Sequence, residues 1–493
     1  MHLLHTALHT RRAFLKRSGQ LAMSGTALPL AMNLAALGEA AAASAAGNDY
    51  KALVCVFLYG GNDYANTVVS YDAPSYAAYA AVRGGQGEAG GGIALPYADL
   101  RRTLLRPRVA LPDGRQYALH PAMAGVADLF NAGHAAVQFN VGPLVVPLTR
   151  AQYNSPDRKQ FPLPPKLFSH NDQQSIWQSS SPEGATTGWG GHLGDLALAS
   201  NAKSLFTCIS VTGNAVFLSG DSALPYQVST GGAVRVRPAT DGAVYGSKAV
   251  KNLLSDIIST PSGHAMENEY VRVMQRSRGA EVHVASALAA SQPDGAAPLT
   301  TAFPSANPLA EQLKMVARLI KGRSVLGSRR QVFLVSLGGF DLHDNLIAQQ
   351  PVLMGRVSEA MSVFYQATVE MGVSDSVTSF TASDFGRTLT SNGDGSDHGW
   401  GGHHVVVGGA VKGQRFYGTA PPLSVGNTAA PQDQWHVGQG RLLPSTSVDQ
   451  YAATLARWFG VGPQQLDGIL PNLRHFGDAA GRPDYPTNLG FLA

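Results

Sequence analysis

The chain has 493 residues, of which 44% are hydrophobic and 14% charged, with a formal net charge of +4. This balance excludes a disordered chain, and the length allows one large domain or two to three ordinary ones with an ample core. No Lys/Arg-dense stripe interleaved with aromatics follows the N-terminal segment, which argues against a nucleic-acid partner.

Near the N-terminus, Arg11 and Arg12 are followed by Phe14, Leu15 and Lys16, then by a weakly apolar stretch and the small-residue run EAAAASAAG. A basic segment ahead of an apolar one reads as a targeting signal, and this one resembles the twin-arginine export signal, with Ala43-Ser44-Ala45 as an A-x-A cleavage site. Residues 1–46 are therefore expected to be a signal peptide. Residues 47–493 are expected to form a single domain that reaches the periplasm or the exterior through the twin-arginine machinery. No later stretch reaches the roughly 18 to 20 apolar residues of a membrane helix. Cys55 and Cys208, the two cysteines, each sit in an apolar run; they read as buried free thiols, and a disulfide would need their strands to be neighbours.

Five continuous Val- and Phe-rich runs read as buried strands: ALVCVFL (52–58), AAVQF (135–139), VFLVSL (332–337), VTSFTA (377–382) and HVVVGG (404–409). Segments with helical period separate them. HPAMAGVADLFNAG has Pro121 in a first turn and Gly133 as a stop. NPLAEQLKMVARLIKG has Asn307 as N-cap, and a helix within residues 348–372 carries Leu353, Val357, Met361, Phe364 and Val369. Ser447-x-x-Gln450 is a capping box. Strands alternating with helices predict an α/β fold, a mostly parallel sheet with helices on both faces. Residues 203–300 break the rhythm and read as an inserted, β-containing cap region, and RGGQGEAGGG (83–92) reads as a solvent-exposed loop.

Ligands of such sheets bind at the carboxyl ends of the strands. Four polar clusters are expected at that edge: Asp63 in YGGND, Asp341 and His343 in GGFDLHDN, Asp384 in SDFGR, and Asp397, His398, His403 and His404 in the glycine-rich loop after it. Singly, an aspartate at a strand end is an ordinary helix N-cap. Jointly, these oxygen and nitrogen donors suit Zn²⁺, Mn²⁺ or iron, and Mg²⁺ or Ca²⁺ where oxygen prevails. Adjacent His403 and His404 point to opposite sides of an extended chain, so at most one faces a common site.

The stretches VFLYGGNDYANTVV, LFSHNDQQSIWQS, LGGFDLHDN and SDFGRTLTSNGDGSDHGWGGHHVVVGG resemble the ordered signatures of a family of exported, twin-arginine-dependent bacterial proteins of uncharacterised function. That family is sulfatase-like within the alkaline phosphatase superfamily. The resemblance implies an alkaline-phosphatase-like α/β core holding one or two divalent metals beside a hydroxyl nucleophile. By position it implies Asp63 as the metal ligand after the first strand, Asp341 and His343 as a pair on one metal, Asp384 as a shared acid and His398 as the histidine that closes the site. Phe385 stands where the superfamily often has a second ligand histidine, so a two-metal site has either lost a ligand or recruited His403 or His404.

For the nucleophile, Ser169 heads a helix-compatible segment, where the dipole favours an alkoxide; an N-cap role is the plainer account, and Thr67 is a rival. In-line attack by Ser169 on a phosphate or sulfate ester is then the expected chemistry, with His170 and Arg387 stabilising charge on the transferred group. The expected partner is a small-molecule ester. A different class, an exported binding or assembly protein with a degenerate site, is favoured by Phe385. Asn392, Asp394 and Ser396 alternate as calcium ligands do, although no Glu occupies the twelfth loop position. There is no G-x-S-x-G elbow, and neither cysteine lies in a C-x-P-x-R context, which disfavours a serine esterase and a formylglycine sulfatase.

Overall fold

All five apolar runs form strands, and they lie side by side in one sheet. The computed structural model describes residues 50–85, 92–233, 242–292, 295 and 298–493; the expected signal at 1–46 lies outside them. In chain order the principal elements are β1 (Lys51–Leu58), α1 (Tyr64–Thr67), β2 (Val68–Ser70), α2 (Ala73–Val82), β3 (Tyr117–Leu119), α3 (Ala124–Asn131), β4 (Ala135–Gly142), α4 (His170–Ser179) and α5 (Trp189–Ala197). There follow β5 (Cys208–Ser210), β6 (Tyr226–Ser229), β7 (Gly232–Ala233), α6 (Ala265–Ala289), α7 (Pro308–Lys321), β8 (Arg330–Leu337), α8 (Leu346–Glu370), β9 (Val377–Ser383), β10 (Gly402–Gly408), β11 (Arg415–Tyr417), β12 (Thr446–Ser447) and α9 (Val448–Phe459).

The main sheet runs β11-β4-β10-β9-β1-β8-β5-β6-β7, with β12 also on β4. β1 pairs in parallel with both β8 and β9, and β10 runs antiparallel between β9 and β4. The fold is α/β with a mostly parallel sheet, as expected. β1 shows why its apolar run is continuous rather than alternating. Ala52, Val54, Val56 and Leu58 enter the core built with α7 and α8, whereas Leu53, Cys55 and Phe57 enter the one built with α5 and α9. Each fully buried Val, Leu or Phe contributes about 1.5–3 kcal/mol, so a strand covered on both faces needs apolar residues at every position.

The helix ends follow their predicted chemistry. Asn307 accepts hydrogen bonds from the Leu309 and Ala310 N–H groups at the start of α7, and the Ser447–Gln450 capping box opens α9. Cys55 and Cys208 are free and buried; β8 lies between their strands, so neighbouring strands do not bring them together.

Two expectations need correction. The strands of 203–300 are not a cap: β5 pairs in parallel with β8 and β6 with β5, so this region extends the main sheet. The 83–92 stretch is not simply a solvent-exposed loop, since Arg83 at its start is fully buried and forms an ion pair; residues 86–91 lie outside the described residues. No helix among the described residues is long and apolar enough to cross a membrane.

Candidate metal centre

The carboxyl ends of β1, β8 and β9 lie on one edge of the sheet. Because β10 runs the other way, the glycine-rich loop that leads into it arrives at the same edge. That loop folds back on itself: Arg387 and His398 form an antiparallel bridge, and Asn62 bridges Gly386. At the end of β1 the turn relies on glycine. Gly60 has φ +117°, and a Cβ there would stand 2.4 Å from the Asp341 nitrogen, so any side chain would push the β8 loop away.

Four side chains meet at this edge. His398 Nε2 lies 3.0 Å from His170 Nε2, 3.0 Å from His343 Nε2 and 3.3 Å from Asp341 Oδ1. His343 Nε2 is 3.2 Å from Asp341 Oδ1, and His170 Nε2 is 3.4 Å from Asp341 Oδ2. Donor atoms of His170, Asp341 and His398 all lie within 4.8 Å of one another. A tetrahedral ion with ligand bonds of about 2.0–2.1 Å has ligand atoms about 3.3–3.4 Å apart, close to these separations.

The other ring nitrogens decide where the hydrogens are. His170 Nδ1 lies 2.7 Å from Asp384 Oδ2, His398 Nδ1 lies 2.8 Å from the Phe168 carbonyl oxygen, and His343 Nδ1 lies 3.2 Å from Asp397 Oδ1. Each partner is an acceptor, so each Nδ1 carries the hydrogen and each Nε2 presents a lone pair. Three lone pairs and a carboxylate thus converge on one another, an arrangement that is repulsive until a cation enters. Hydrogen bonding to Asp384 pushes the His170 imidazole above its ordinary pKa, whereas burial pushes His398 down. A proton on His170 Nε2 would relieve its contact with His398 and leave the His343–His398 contact unrelieved. The donor set fits a divalent cation, with Asp384, Asp397 and a peptide carbonyl orienting the imidazoles from behind.

The remaining expected residues have other partners. Asp384 is fully buried; its Oδ2 accepts from the Gly60 N–H (3.1 Å) and the Gln174 side-chain amide (2.8 Å) as well as His170, and its Oδ1 has no hydrogen-bond partner among the described residues. Asp63 is committed to Arg83 Nη2 at 2.7 Å, to the Ser396 hydroxyl at 2.7 Å and to the Asn66 N–H at 2.9 Å. Burial works against ionisation of Asp63, but Arg83 and the hydrogen bonds from Ser396 and Asn66 together offset it and hold the carboxyl below the usual range. Asp63 is thus an internal ion-pair partner and helix cap outside the donor cluster. His403 also stays outside: its Nδ1 accepts the Asn140 N–H at 3.1 Å, and Tyr64 and Phe139 pack on its ring. His404 packs against Trp177 and Tyr451, and burial depresses both imidazoles to about 3, so both are neutral.

Arg387 is fully buried beneath the cluster. Its Nη1 donates to Asp341 Oδ1 at 2.8 Å and to the Gly60 carbonyl at 2.9 Å, and its Nε donates to the Ser396 carbonyl at 2.9 Å. It orients Asp341 and, with His170 and His343, outweighs partial desolvation to hold that carboxyl below its ordinary pKa. It therefore reads as a positioning residue rather than a charge stabiliser facing a substrate. Ser169 is the N-cap residue of α4, and its hydroxyl donates to Asp172 Oδ2 at 2.9 Å. Thr67 is buried, its hydroxyl bonded to Asn62 and to the Asp63 carbonyl. The calcium-like alternation dissolves: the Asn392 side chain turns to Asp397 and the Gly395 N–H, Asp394 takes the Asn345 N–H, and Ser396 turns to Asp63.

His170, expected to stabilise charge on the transferred group, instead joins the donor cluster. Its adjacency to the helix head carried no ligand signal, because α4 reaches the cluster only through a long connection from β4. Phe168 in that connection has φ +73°, a conformation that aims its carbonyl at His398. Phe385 forms the apolar wall, its ring centroid 4.9 Å from His170 and 4.8 Å from His398.

No curated protein matches the chain. Among solved structures it is similar to the PsFucS1 sulfatase from Pseudoalteromonas sp., at 10% identity and a TM-score of 0.33, with 87% of this chain and 72% of that chain covered. The family described as "Protein of unknown function (DUF1501)" matches residues 50–470, most of the length, and the chain belongs to that family.

Proposed function

We propose that this chain is an exported, metal-dependent hydrolase acting on phosphate or sulfate esters, with Ser169 as its nucleophile. The observation that carries the reading is the convergence of the Nε2 atoms of His170, His343 and His398 on one another and on Asp341. His170, Asp341 and His398 would hold the ion, with His343 beside them, and this nitrogen-rich set favours Zn²⁺, Mn²⁺ or iron over Mg²⁺ or Ca²⁺. A divalent ion there supplies Lewis acidity toward an ester oxygen. The side chains of His170, His343 and His398 are 27%, 40% and 27% exposed, which leaves the cluster open to a small molecule. Ser169 directly precedes His170 at the head of α4, where the helix dipole favours an alkoxide, and Asp172 is placed to accept its proton. Export would follow the twin-arginine route that residues 1–46 resemble.

A second reading is favoured by Phe385. Its ring lines the cluster where a further ligand would be needed for a second ion, which suits an exported binding or assembly protein with a reduced site. Metal analysis of purified protein, followed by a panel of phosphate mono- and diesters and sulfate esters, separates the two. The expected result is about one transition metal per chain, lost in His398→Ala, with turnover that is abolished in Ser169→Ala while metal is retained. Metal-free protein with full turnover would overturn the hydrolase mechanism; bound metal without turnover on any ester would favour the second reading.

A further inference from the structure

We infer that Arg441 is the anion clamp of this site, the residue that receives the phosphate or sulfate group of the substrate. The inference deepens the proposed function and rests on it. Arg441 is carried by a tight hairpin in which His436 bridges Leu442 and the Arg441 N–H donates to the Gly438 carbonyl. The hairpin is fastened to the metal loop at two points, where the Leu389 N–H donates to the Gln439 carbonyl and the Gly401 N–H to the Leu442 carbonyl, and to α1, where the Tyr64 hydroxyl donates to the Gly440 carbonyl. Gly440, at φ +68°, approaches Leu389 so closely that a Cβ would stand 2.3 Å from it.

The side chain is held as firmly as the backbone. Arg441 Nε donates to the carbonyl of His398 at 2.7 Å, and the guanidinium lies over the Phe168 ring, with Cζ 5.4 Å from the ring centroid. His398 is a cluster imidazole, and the Phe168 carbonyl orients it, so Arg441 is braced against both halves of one ligand assembly. Its terminal nitrogens, by contrast, have no hydrogen-bond partner among the described residues, and Asp397, whose charge acts on Arg441, stays beyond ion-pair distance. Arg83 and Arg387 differ in this respect, since Arg83 spends a terminal nitrogen on the buried Asp63 and Arg387 spends one on Asp341.

A planar fork fixed by stacking and by its Nε, with both outer nitrogens unspent, is the geometry that recognises a tetrahedral oxyanion through two parallel hydrogen bonds. Little rotamer freedom remains to be lost on binding, because the protein has already fixed the side chain. Nothing local in HVGQGRLL marks Arg441, which lies well after the four acid and imidazole clusters of the strand ends.

Zn-loaded wild type, Arg441→Ala and Arg441→Lys are compared by elemental analysis and by calorimetric titration with inorganic phosphate and, separately, inorganic sulfate. The expected result is equal metal content in all three and anion affinity about 10- to 100-fold weaker in Arg441→Ala, with Arg441→Lys in between because it keeps the charge and loses the fork. Phosphate weakened more than sulfate, or the reverse, identifies the preferred ester. Affinity in Arg441→Ala within two-fold of wild type overturns the clamp, as does a wild type that binds neither anion. Loss of metal in Arg441→Ala also overturns it, by showing that Arg441 only braces His398. A wild type without metal whose anion binding still depends on Arg441 would support the clamp and overturn the hydrolase reading.

Discussion

Asp384→Asn tests how the cluster is built, because it changes one acid from orienting carboxylate to neutral amide with almost no change of volume. Asp384 Oδ2 receives three donors, His170 Nδ1 at 2.7 Å, Gln174 Nε2 at 2.8 Å and the Gly60 N–H at 3.1 Å, while Oδ1 is buried without a partner among the described residues. In one orientation, the asparagine carbonyl keeps those three bonds and leaves a buried NH₂ unpaired. In the other, the NH₂ faces three donors and drives the His170 hydrogen to Nε2, removing one lone pair from the cluster. Either outcome weakens the metal site without deleting a ligand. Loss of a partner that orients a ligating histidine costs about 10- to 100-fold in metal affinity, or about 1.4–2.8 kcal/mol. The assay is competition with a chromophoric chelator near neutral pH, alongside His398→Ala as the ligand deletion. Affinity within two-fold of wild type would refute the orienting role. A loss as complete as that of His398→Ala would refute it in the other direction, by making Asp384 itself a ligand.

Asp63→Asn strands the buried Arg83 guanidinium and should cost about 3–5 kcal/mol in urea unfolding, while the folded fraction keeps its metal; loss of metal at unchanged stability would return Asp63 to the ligand set. Asp449 is fully buried, and burial pushes its carboxyl up to about 6. Its folded pKa lies above its unfolded one, so the folded state is penalised as pH rises from about 4 through that value, and the penalty persists above it. Asp449→Asn should therefore melt higher than wild type above pH 6, with the gap closing at low pH; a gap that does not vary with pH would refute the assignment.

Much of the scaffold was legible in the residues themselves. A strand covered on both faces must be apolar at every position, so the runs at β1, β4, β8, β9 and β10 announced both their element and the layered fold. The Asn307 and Ser447 caps act within one helical turn, and short-range chemistry of that kind survives in any tertiary setting. Asp341, His343 and His398 were legible for a related reason: strand ends and glycine loops place polar residues at one edge of such a sheet. What the sequence could not determine was which polar groups spend their charge on each other. Asp63 meets Arg83 across 20 positions, and His170 meets Asp384 across 214 and His398 across 228. These pairings depend on the packing of α2 and α4 against the loops, and no local pattern encodes them. The reversed direction of β10 and the hairpin that presents Arg441 belong to the same class. Local physics fixed the elements and a set of candidate ligands, and tertiary packing decided which of them gather into one donor cluster, which support it from behind, and that Arg441 is braced beside it.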